Sequence, residues 1–469
     1  MTKKIDITQD VIKKIGALAD ELGIEAYVVG GYVRDALLGK IVNDIDVLVI
    51  GSGVEFAKSV GKKFGRNRIV LYERFGTAMM TLDDLKIEFV GARKESYNHE
   101  SRNPVVETGT LYDDLSRRDF TVNALAASIN RSTWGTVTDY FDGAEDLALK
   151  MIRTPLDPAK TFDDDPLRIM RAIRFASKLG FTIAQDTLNA IPPMAERLSI
   201  ISQERITDEF MKIMSSPKPS VGLRLLNDAG ILKIIFPEFA ELAGVDQRKD
   251  FHHKDVFLHT CTVVDNVAEA TDHIQLRMAA LLHDIAKPKT KKFIEGIGWT
   301  FHGHEELGAR MVKNIYKRFR LPMDDIPYVE KLVRLHLRPI SLVDDGVTDS
   351  AVRRLLFEAG ELIDDLMTLC RADITSKNPR LVSKYTDNYD RVLEKMKEVE
   401  EKDRLRAFQP PVRGDEIMAV CGLEPGKLIG ILKTRIEDAI MEGEIPNEHD
   451  PALAYLLSIK DDVIRNYSR

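Results

Sequence analysis

Two groups of residues in this chain have the chemistry of metal sites. The first is Asp44-Ile45-Asp46. Residues two apart in a strand point to one face, so the two carboxylates converge while Ile45 turns to the core. Hard cations such as Mg²⁺ take oxygen ligands, and two close carboxylates beside a triphosphate suit a two-metal site. Just upstream, Tyr27-Val28-Val29-Gly30-Gly31-Tyr32-Val33-Arg34-Asp35 reads as an apolar strand, a Gly-Gly turn and the start of a helix. Such a turn lets the backbone approach an anion, and Arg34 would leave the first helical turn where a phosphate could meet it. A Gly-Gly turn that merely joins strand to helix has the same letters. Glu88, alternating with apolar neighbours in Lys86–Val90, is either a third carboxylate or an exposed strand residue.

The second group is histidine-rich. Eight of the ten histidines fall between His252 and His336: His252, His253, His259, His273, His283, His302, His304 and His336. Clustering on that scale is improbable as core packing. His283-Asp284 sits at the end of an apolar helix, and Arg371-Ala372-Asp373 supplies a later carboxylate.

Between the groups lie arginines. Arg117-Arg118-Asp119 precedes an apolar run for which Asp119 is a candidate helix cap. In Asp165-Pro166-Leu167-Arg168-Ile169-Met170-Arg171-Ala172-Ile173-Arg174-Phe175, proline suits a first helical turn and Asp165 and Arg168 are three apart, hence neighbours on a helix surface. Either this is a capped helix with a solvated arginine face, or Asp165 and Arg168 present acceptors and donors in one plane to the edge of a base, with Arg171 and Arg174 on phosphates. Arg205 and Glu209 read as braces between helices.

The elements that must position these groups follow from periodicity. Residues 8–22 are an amphipathic helix, Ala26–Val29 a buried strand, and Arg68–Tyr72, Ala78–Leu82 and Lys86–Val90 further strands. Residues 92–108, polar and with Asn103-Pro104, read as a mobile loop. From about residue 156 helical periods replace alternation, and the tail has helices around Pro425-Gly426, where Lys427 and the amides near Gly426 and Gly430 either clamp phosphates or simply close a hairpin. A chain of 469 residues exceeds one hydrophobic core. No apolar run approaches the roughly 18 residues that span a bilayer, and no signal core follows Met1. Cys261, Cys370 and Cys421 are scattered, without metal-ligand spacing, which fits a reduced, cytoplasmic protein. The net charge of −7 gives no support to indiscriminate nucleic-acid coating, so RNA would have to be held by local basic patches.

In order, Gly30-Gly31-Tyr32-Val33-Arg34-Asp35, Asp44-Ile45-Asp46, Arg117–Ala124, Asp165–Phe175 and Glu204-Arg205-Ile206 resemble the class II tRNA nucleotidyltransferase (CCA-adding enzyme) and bacterial poly(A) polymerase family. One departure is Asp164, where the family commonly has Glu. The resemblance implies an α+β chain: a small polymerase-beta-like nucleotidyltransferase head (1–155), a helical neck (156–240), then helices. It implies Asp44 and Asp46 as catalytic Mg²⁺ ligands and Gly31, Arg34 and Arg118 as nucleotide contacts. Asp165 and Arg168 would be the protein template that pairs with cytosine or adenine, with Arg171 and Arg174 as further contacts. The substrates implied are CTP, ATP and the 3′ end of tRNA. Poly(A) polymerase and partial CC- or A-adding enzymes are the alternatives; no basic segment marking the poly(A) branch follows the first strands. The same family implies an RNA-binding helical tail over 401–469, and the histidine pattern resembles the HD phosphohydrolase superfamily, implying a domain over 245–400. By that resemblance His259, His283, Asp284 and Asp373 hold one metal, while His304 and His336 are the extra ligands of the two-metal variety, with His302 competing for the place of His304. Such a centre, with Mg²⁺ or a transition metal, would activate water against a phosphate ester.

Overall fold

The computed structural model describes residues 3–40, 42, 44–64, 69–72, 76–82, 85–98, 101–245, 255–342, 348–376, 378–403 and 411–467. His252 and His253 lie outside them. The chain forms two compact units, Met1–Pro237 and Glu238–Arg469. Among the described residues no helix is long and apolar enough to cross a membrane.

The first unit is built on a mixed sheet. Its strands are β1 (Ala26–Val29), β2 (Asp44–Val49), β3 (Ile69–Tyr72), β4 (Thr77–Leu82) and β5 (Leu85–Gly91), with β8 (Leu125–Ser128) and β9 (Val137–Asp139) following a two-stranded ribbon of β6 (Arg93–Asn98) and β7 (Ser101–Thr108). The order across the main sheet is β3-β4-β5-β2-β1-β8-β9. β2 runs parallel to β5, which sets Asp46 level with Glu88, and antiparallel to β1, which sets Asp46 opposite Val29.

Alternation divides the sheet's two faces. Val28, Val47 and Ile87 join Ile12, Ile15 and Ala19 of the helix Asp10–Leu22 in one core. Val29, Leu48 and Ala126 point the other way, against Leu111 and Leu115 of the short helix Leu111–Ser116. Asp44 and Asp46 share the face of Leu48, because the side-chain period is two. The apolar part of that face is therefore covered by the very helix that leads into Arg117 and Arg118.

Two local expectations are corrected. Residues 92–108 are not a loop but the β6–β7 ribbon, with a register shift between Ser96 and Asn98. The ribbon stands outside the main sheet, so it needs no apolar alternation; Val106 is half exposed, and Pro104 is tolerated because both strands are edges. The run after Asp119 is not a capped helix: a 3₁₀ turn, Thr121–Asn123, leads into β8. Four buried residues are too few to separate strand from helix by periodicity, and pairing with β1 decides the matter.

Beyond β9 the first unit is helical, principally Pro158–Asp164, Leu167–Leu179, Gln185–Met194, Gln203–Met214 and Pro219–Asp228, with one short parallel pair, β10 (Met151–Ile152) and β11 (Thr182–Ile183). The second unit packs Val256–Ala270, Ile274–Leu282, His304–Phe319, Ile326–Leu335, Asp349–Ala359, Ile363–Ala372 and the 25-residue Pro379–Asp403. A hairpin in it pairs β12 (Lys292–Ile294) with β13 (Gly298–Thr300). The tail helices Lys427–Met441 and His449–Tyr467 close around Leu432, Ile436, Ala452 and Leu456. Cys261 and Cys370 are buried and Cys421 is half-buried.

The first helix meets the sheet closely at Gly16, where a Cβ would stand 2.0 Å from the carbonyl oxygen of Ile129. The Gly16→Ala variant should therefore be less stable by about 1–3 kcal/mol, the usual cost of overpacking. Denaturant unfolding followed by far-ultraviolet circular dichroism would measure it, and an unchanged midpoint would refute the close approach.

Candidate functional sites: a carboxylate face and a histidine–aspartate centre

On the sheet, Asp44 is exposed and Asp46 half-buried. Burial pushes the Asp46 carboxyl up, Arg118 pulls it down, and Asp44 and Asp114 push it up again, leaving it above the usual range. Burial and the charge of Asp46 likewise raise Glu88, against a hydrogen bond from Thr77 and the charge of Arg93. Three carboxylates thus crowd one face with insufficient positive charge, a situation that hard cations relieve.

Facing them is a braced set of arginines. Gly30 has φ +68°, and a Cβ there would meet Arg118 Nη1 at 2.7 Å, so the guanidinium occupies the space that glycine leaves. Asp114 has no exposed side-chain surface and holds both neighbours: Arg117 donates Nε (3.1 Å) and Nη2 to its Oδ1, while Arg118 donates Nε (3.3 Å) and Nη2 (3.1 Å) to its Oδ2. Burial raises the Asp114 carboxyl, but Arg118 and Arg117 hold it below its ordinary value. Gly31 opens the helix Gly31–Leu37, in which Arg34 is buried. Arg34 donates Nε and Nη2 to Asp35 (2.8 and 2.7 Å) and Nη1 to Asn123 Oδ1 (2.6 Å), rather than projecting free.

The helix Leu167–Leu179 joins this network. Arg171 donates Nε to Asp119 Oδ2 (2.8 Å), and Asn123 Nδ2 donates to Asp119 Oδ1 (3.0 Å). Arg174 pairs with buried Glu209 (2.7 Å) and lies 4.1 Å from the Phe175 ring centroid; Arg34 and Arg171 approach the same ring at 5.3 and 5.7 Å. Asp165 and Arg168 do not form the planar pair that helical spacing suggests. Asp165 precedes the helix in extended backbone, where Oδ1 accepts from Leu167 N (3.2 Å) and Oδ2 lies 3.5 Å from Arg205. Arg168 is buried and donates to the carbonyls of Thr161 (3.2 Å) and Arg117 (2.7 Å). Arg205 and Glu209 do brace neighbouring elements, each with a different partner. Asp114, Asp119 and Asn123 organise the site, yet sequence reading gave them no such role; their signal is polar residues inside an otherwise buried stretch.

In the second unit, His259, His283, Asp284, His304, His336 and Asp373 converge. They form two ligand sets, His259–His283–Asp373 and Asp284–His304–His336, the atoms of each within 4.8 Å of one another. Asp284 bridges the two. Its Oδ2 lies 3.2 Å from His283 Nε2 and 3.6 Å from His259 Nε2, and its Oδ1 lies 3.3 Å from His304 Nε2 and 3.9 Å from His336 Nε2. Asp373 Oδ1 is 2.8 Å from His259 Nε2 and 3.7 Å from His283 Nε2. His304, buried, fills the place that His302 contested; His302 is exposed and joins neither set. His273 turns instead to Tyr328 and Asp365.

The ring orientation is fixed from behind. Nδ1 of His283, His304 and His336 each lies 2.7 Å from the carbonyl oxygen three residues earlier, of Ala280, Phe301 and Val333. A carbonyl only accepts, so Nδ1 carries a hydrogen and each ring turns its Nε2 toward the centre. Nε2 of all three is buried without a hydrogen-bond partner, close to Asp284 but not aligned with it. His259 Nδ1 is set by Thr375 Oγ1 (2.9 Å). Buried ring nitrogens without hydrogen-bond partners, together with two carboxylates, fit divalent cations. Burial and the charge of His283 pull His336 down to about 3, so it is neutral; burial also lowers His283, but Asp284 and Asp373 raise it to about 8. Burial raises Asp284, but His283 and Lys287 drive it well below the ordinary carboxylate value, Lys287 Nζ being 2.7 Å away. Lys287 has the one clear signal that sequence reading passed over, three residues beyond Asp284 on a helical turn.

A mixed sheet with a carboxylate pair opposite arginines, followed by helices that carry a histidine–aspartate centre, defines a nucleotidyltransferase with a second metal-binding module. Family models match in the same order: the poly A polymerase head domain over residues 26–153, the probable RNA and SrmB-binding site of polymerase A over 180–242, and the HD domain over 256–378. The chain is 31% identical over 433 residues to the A-adding tRNA nucleotidyltransferase of Deinococcus radiodurans, covering 90% of this chain and 92% of that protein. It is 34% identical over 367 residues to the multifunctional CCA protein of Xylella fastidiosa strain M23, covering 75% and 83%. A tRNA nucleotidyltransferase crystallised with a primer tRNA and an incoming ATP analogue superposes with a TM-score of 0.59 at 25% identity, over 82% of this chain and 99% of the other. The chain belongs to the tRNA nucleotidyltransferase and poly(A) polymerase family, and it is a nucleotidyltransferase.

The buried Asp114 clamp makes a quantitative expectation. Asp114→Asn removes the buried counter-charge that two arginines share and should cost about 3–5 kcal/mol of stability. The folded carboxyl is held below its unfolded value of about 3.9, so its contribution is complete above that pH and is lost as pH falls through the lower folded value. Urea midpoints from pH 7 to pH 2 would show this: the variant is destabilised at neutral pH and loses less on acidification than the parent. Equal acid sensitivity of the two would contradict the clamp.

Proposed function

We propose that the chain builds or repairs the 3′-terminal CCA of tRNA from CTP and ATP, with Mg²⁺, in the cytoplasm. The observation that carries this reading is the single sheet face on which Asp44, Asp46 and Glu88 stand beside Arg118. Asp44 and Asp46, with Glu88 as a third acid, would hold the ions. Bound there, Mg²⁺ would offset the charge of the triphosphate and of the departing pyrophosphate. Gly31, Arg34 and Arg118 receive the incoming nucleotide, the last already pressed against Gly30. Asp165 and Arg168 read the base, and Arg171 and Arg174 complete the pocket. In that role Arg168 exchanges its two carbonyl partners for the base edge, whereas Arg171 and Arg174 keep their carboxylates and act by rigidity. Catalysis on this face is positioning plus electrostatics, with no covalent enzyme intermediate. Residues 1–155 serve as head, 156–240 as neck, 245–400 as the histidine–aspartate domain and 401–469 as the tail, where Lys427 and the amides near Gly426 hold RNA.

For the second centre the reading is metal-dependent phosphohydrolysis. His259, His283 and Asp373 would hold one cation, His304 and His336 another, with Asp284 between them. Mg²⁺ or a transition metal bound there would supply an activated water and a Lewis acid. The carbonyls behind the rings hold the lone pairs in place, so the residues need little rearrangement to bind.

The test is a tRNA transcript lacking CCA, incubated with labelled CTP, ATP and Mg²⁺, with the product sequenced. Absence of incorporation would end the proposal. Asp44→Ala with Asp46→Ala should reduce incorporation on the order of a thousandfold, the effect of losing several kcal/mol of charge stabilisation, and Asp284→Ala should leave it intact. Adenosine-only addition is a second reading, favoured by the name of the Deinococcus relative that matches nearly the whole chain. It predicts that only a transcript already ending in CC is extended. For the second centre, Mn²⁺ titrated calorimetrically into the Asp44→Ala, Asp46→Ala variant should bind with two equivalents, falling by one when His304→Ala and His336→Ala are added. An unchanged stoichiometry would contradict the assignment of the second set.

A further inference from the structure

A surface hairpin that the proposed chemistry leaves unused interrupts the histidine–aspartate centre along the chain. It lies between Asp284 and His304, and both of its ends rest on residues that touch the centre. At its start, Lys287 Nζ contacts Asp284 (2.7 Å) and lies 5.7 Å from the Phe301 ring centroid. At its end, the Phe301 carbonyl accepts from His304 Nδ1 (2.7 Å) and, more weakly, from Thr290 Oγ1 (3.5 Å).

Phe293 and Trp299 are directly opposed in the ladder, so they share one face of the hairpin. Their rings meet edge to face at 5.3 Å and 72°, yet Phe293 stays 51% exposed and Trp299 41% exposed. Lys291 Nζ lies 4.5 Å from the Trp299 ring centroid. Across residues 287–300 there are four lysines, Lys287, Lys289, Lys291 and Lys292, against one acid, Glu295. In a chain of net charge −7 this is a strong local reversal of sign. Exposed aromatic rings interleaved with cations are the recipe for gripping unpaired nucleotides: the rings stack on bases and the cations meet phosphates.

We propose that this hairpin is a base-stacking platform that binds the single-stranded 3′ end of an RNA beside the histidine–aspartate centre. Stacking on Phe293 or Trp299 requires a base with a free face, which a duplex does not offer. With Lys287 held by Asp284, the three remaining lysines, Lys289, Lys291 and Lys292, exceed what one mononucleotide needs and match a strand with successive phosphates. The same positive charge disfavours an apolar protein partner. The role of delivering a terminal phosphate to the centre rests on the phosphohydrolase reading; the binding itself does not.

The chain has two tryptophans, Trp134 and Trp299, so in Trp134→Phe the emission reports on the hairpin alone, even though RNA also binds elsewhere on the protein. Titration with a short single-stranded oligoribonucleotide should quench that emission saturably, and the apparent affinity should fall as salt rises. If Trp134→Phe folds poorly, the difference in quenching between the parent and Trp299→Phe gives the same signal. In a second measurement, Phe293→Ala with Trp299→Ala should raise KM for a 3′-phosphorylated oligoribonucleotide about tenfold, with kcat on a small chromogenic phosphodiester unchanged. Unchanged Trp299 emission at saturating oligonucleotide would overturn the proposal. So would equal quenching by a mononucleotide, or hairpin variants that change only the sedimentation of the protein. If the oligonucleotide quenches but neither substrate is hydrolysed, the platform stands and the phosphohydrolase reading falls.

Discussion

The nucleotidyl-transfer half of this protein depends on one buried carboxylate, Asp119. It accepts from the amide of Phe120, from Asn123 Nδ2 and from Arg171. A carboxylate taken out of water without partners is costly by several kcal/mol, so wherever Asp119 is buried Arg171 must follow. Burial alone would raise its pKa, and Arg171 and Asn123 hold it low. Because Asn123 also accepts from Arg34, and Arg34 is clasped by Asp35, one continuous polar chain ties the glycine turn to the helix Leu167–Leu179. Asp114 does the equivalent for Arg117 and Arg118. The head and the proposed base-reading helix are thereby held in register by pairings that leave few alternatives.

The two proposed metal-binding faces solve opposite electrostatic problems. On the sheet the acids are partly solvated and mutually repelling, with Asp46 and Glu88 pushed up in pKa, so the face gains most when cations and a triphosphate arrive together. In the histidine–aspartate centre the ligands are mostly buried, and backbone carbonyls already orient three of the rings toward Asp284 and Asp373. The first arrangement suits ions that come and go with substrate. The second suits ions that stay.

Much of this was legible in the chain. The strand alternation around Asp44 and Asp46, the glycine turn and the histidine density each follow a local period, and local periods survive folding. The β6–β7 ribbon and β8 were not legible, for different reasons. The ribbon's sequence is mostly polar and it stands outside the main sheet, so it lacks the apolar alternation that marks a half-buried strand. The stretch Leu125–Ser128 is apolar throughout, and only its pairing with β1 makes it a strand. The choice between His302 and His304 was equally closed to sequence, since both flank Gly303 and the helix N-terminus buries just one.

What the sequence determined by itself was the inventory and its facing: which acids share a strand face, which helix carries the arginines, and that histidines gather in one region. Only the tertiary structure decided the partners. Arg168 could have met Asp165 one turn away, yet it turns to the carbonyls of Thr161 and Arg117, while Asp165 looks to Arg205. Asp284 could have served one cation, yet its two oxygens face different histidine sets. Side-chain spacing fixes direction within about one turn of helix or one pleat of sheet. A long side chain can reach several partners from there, and the cost of burying an unpaired charge, set by the packing of distant segments, selects among them.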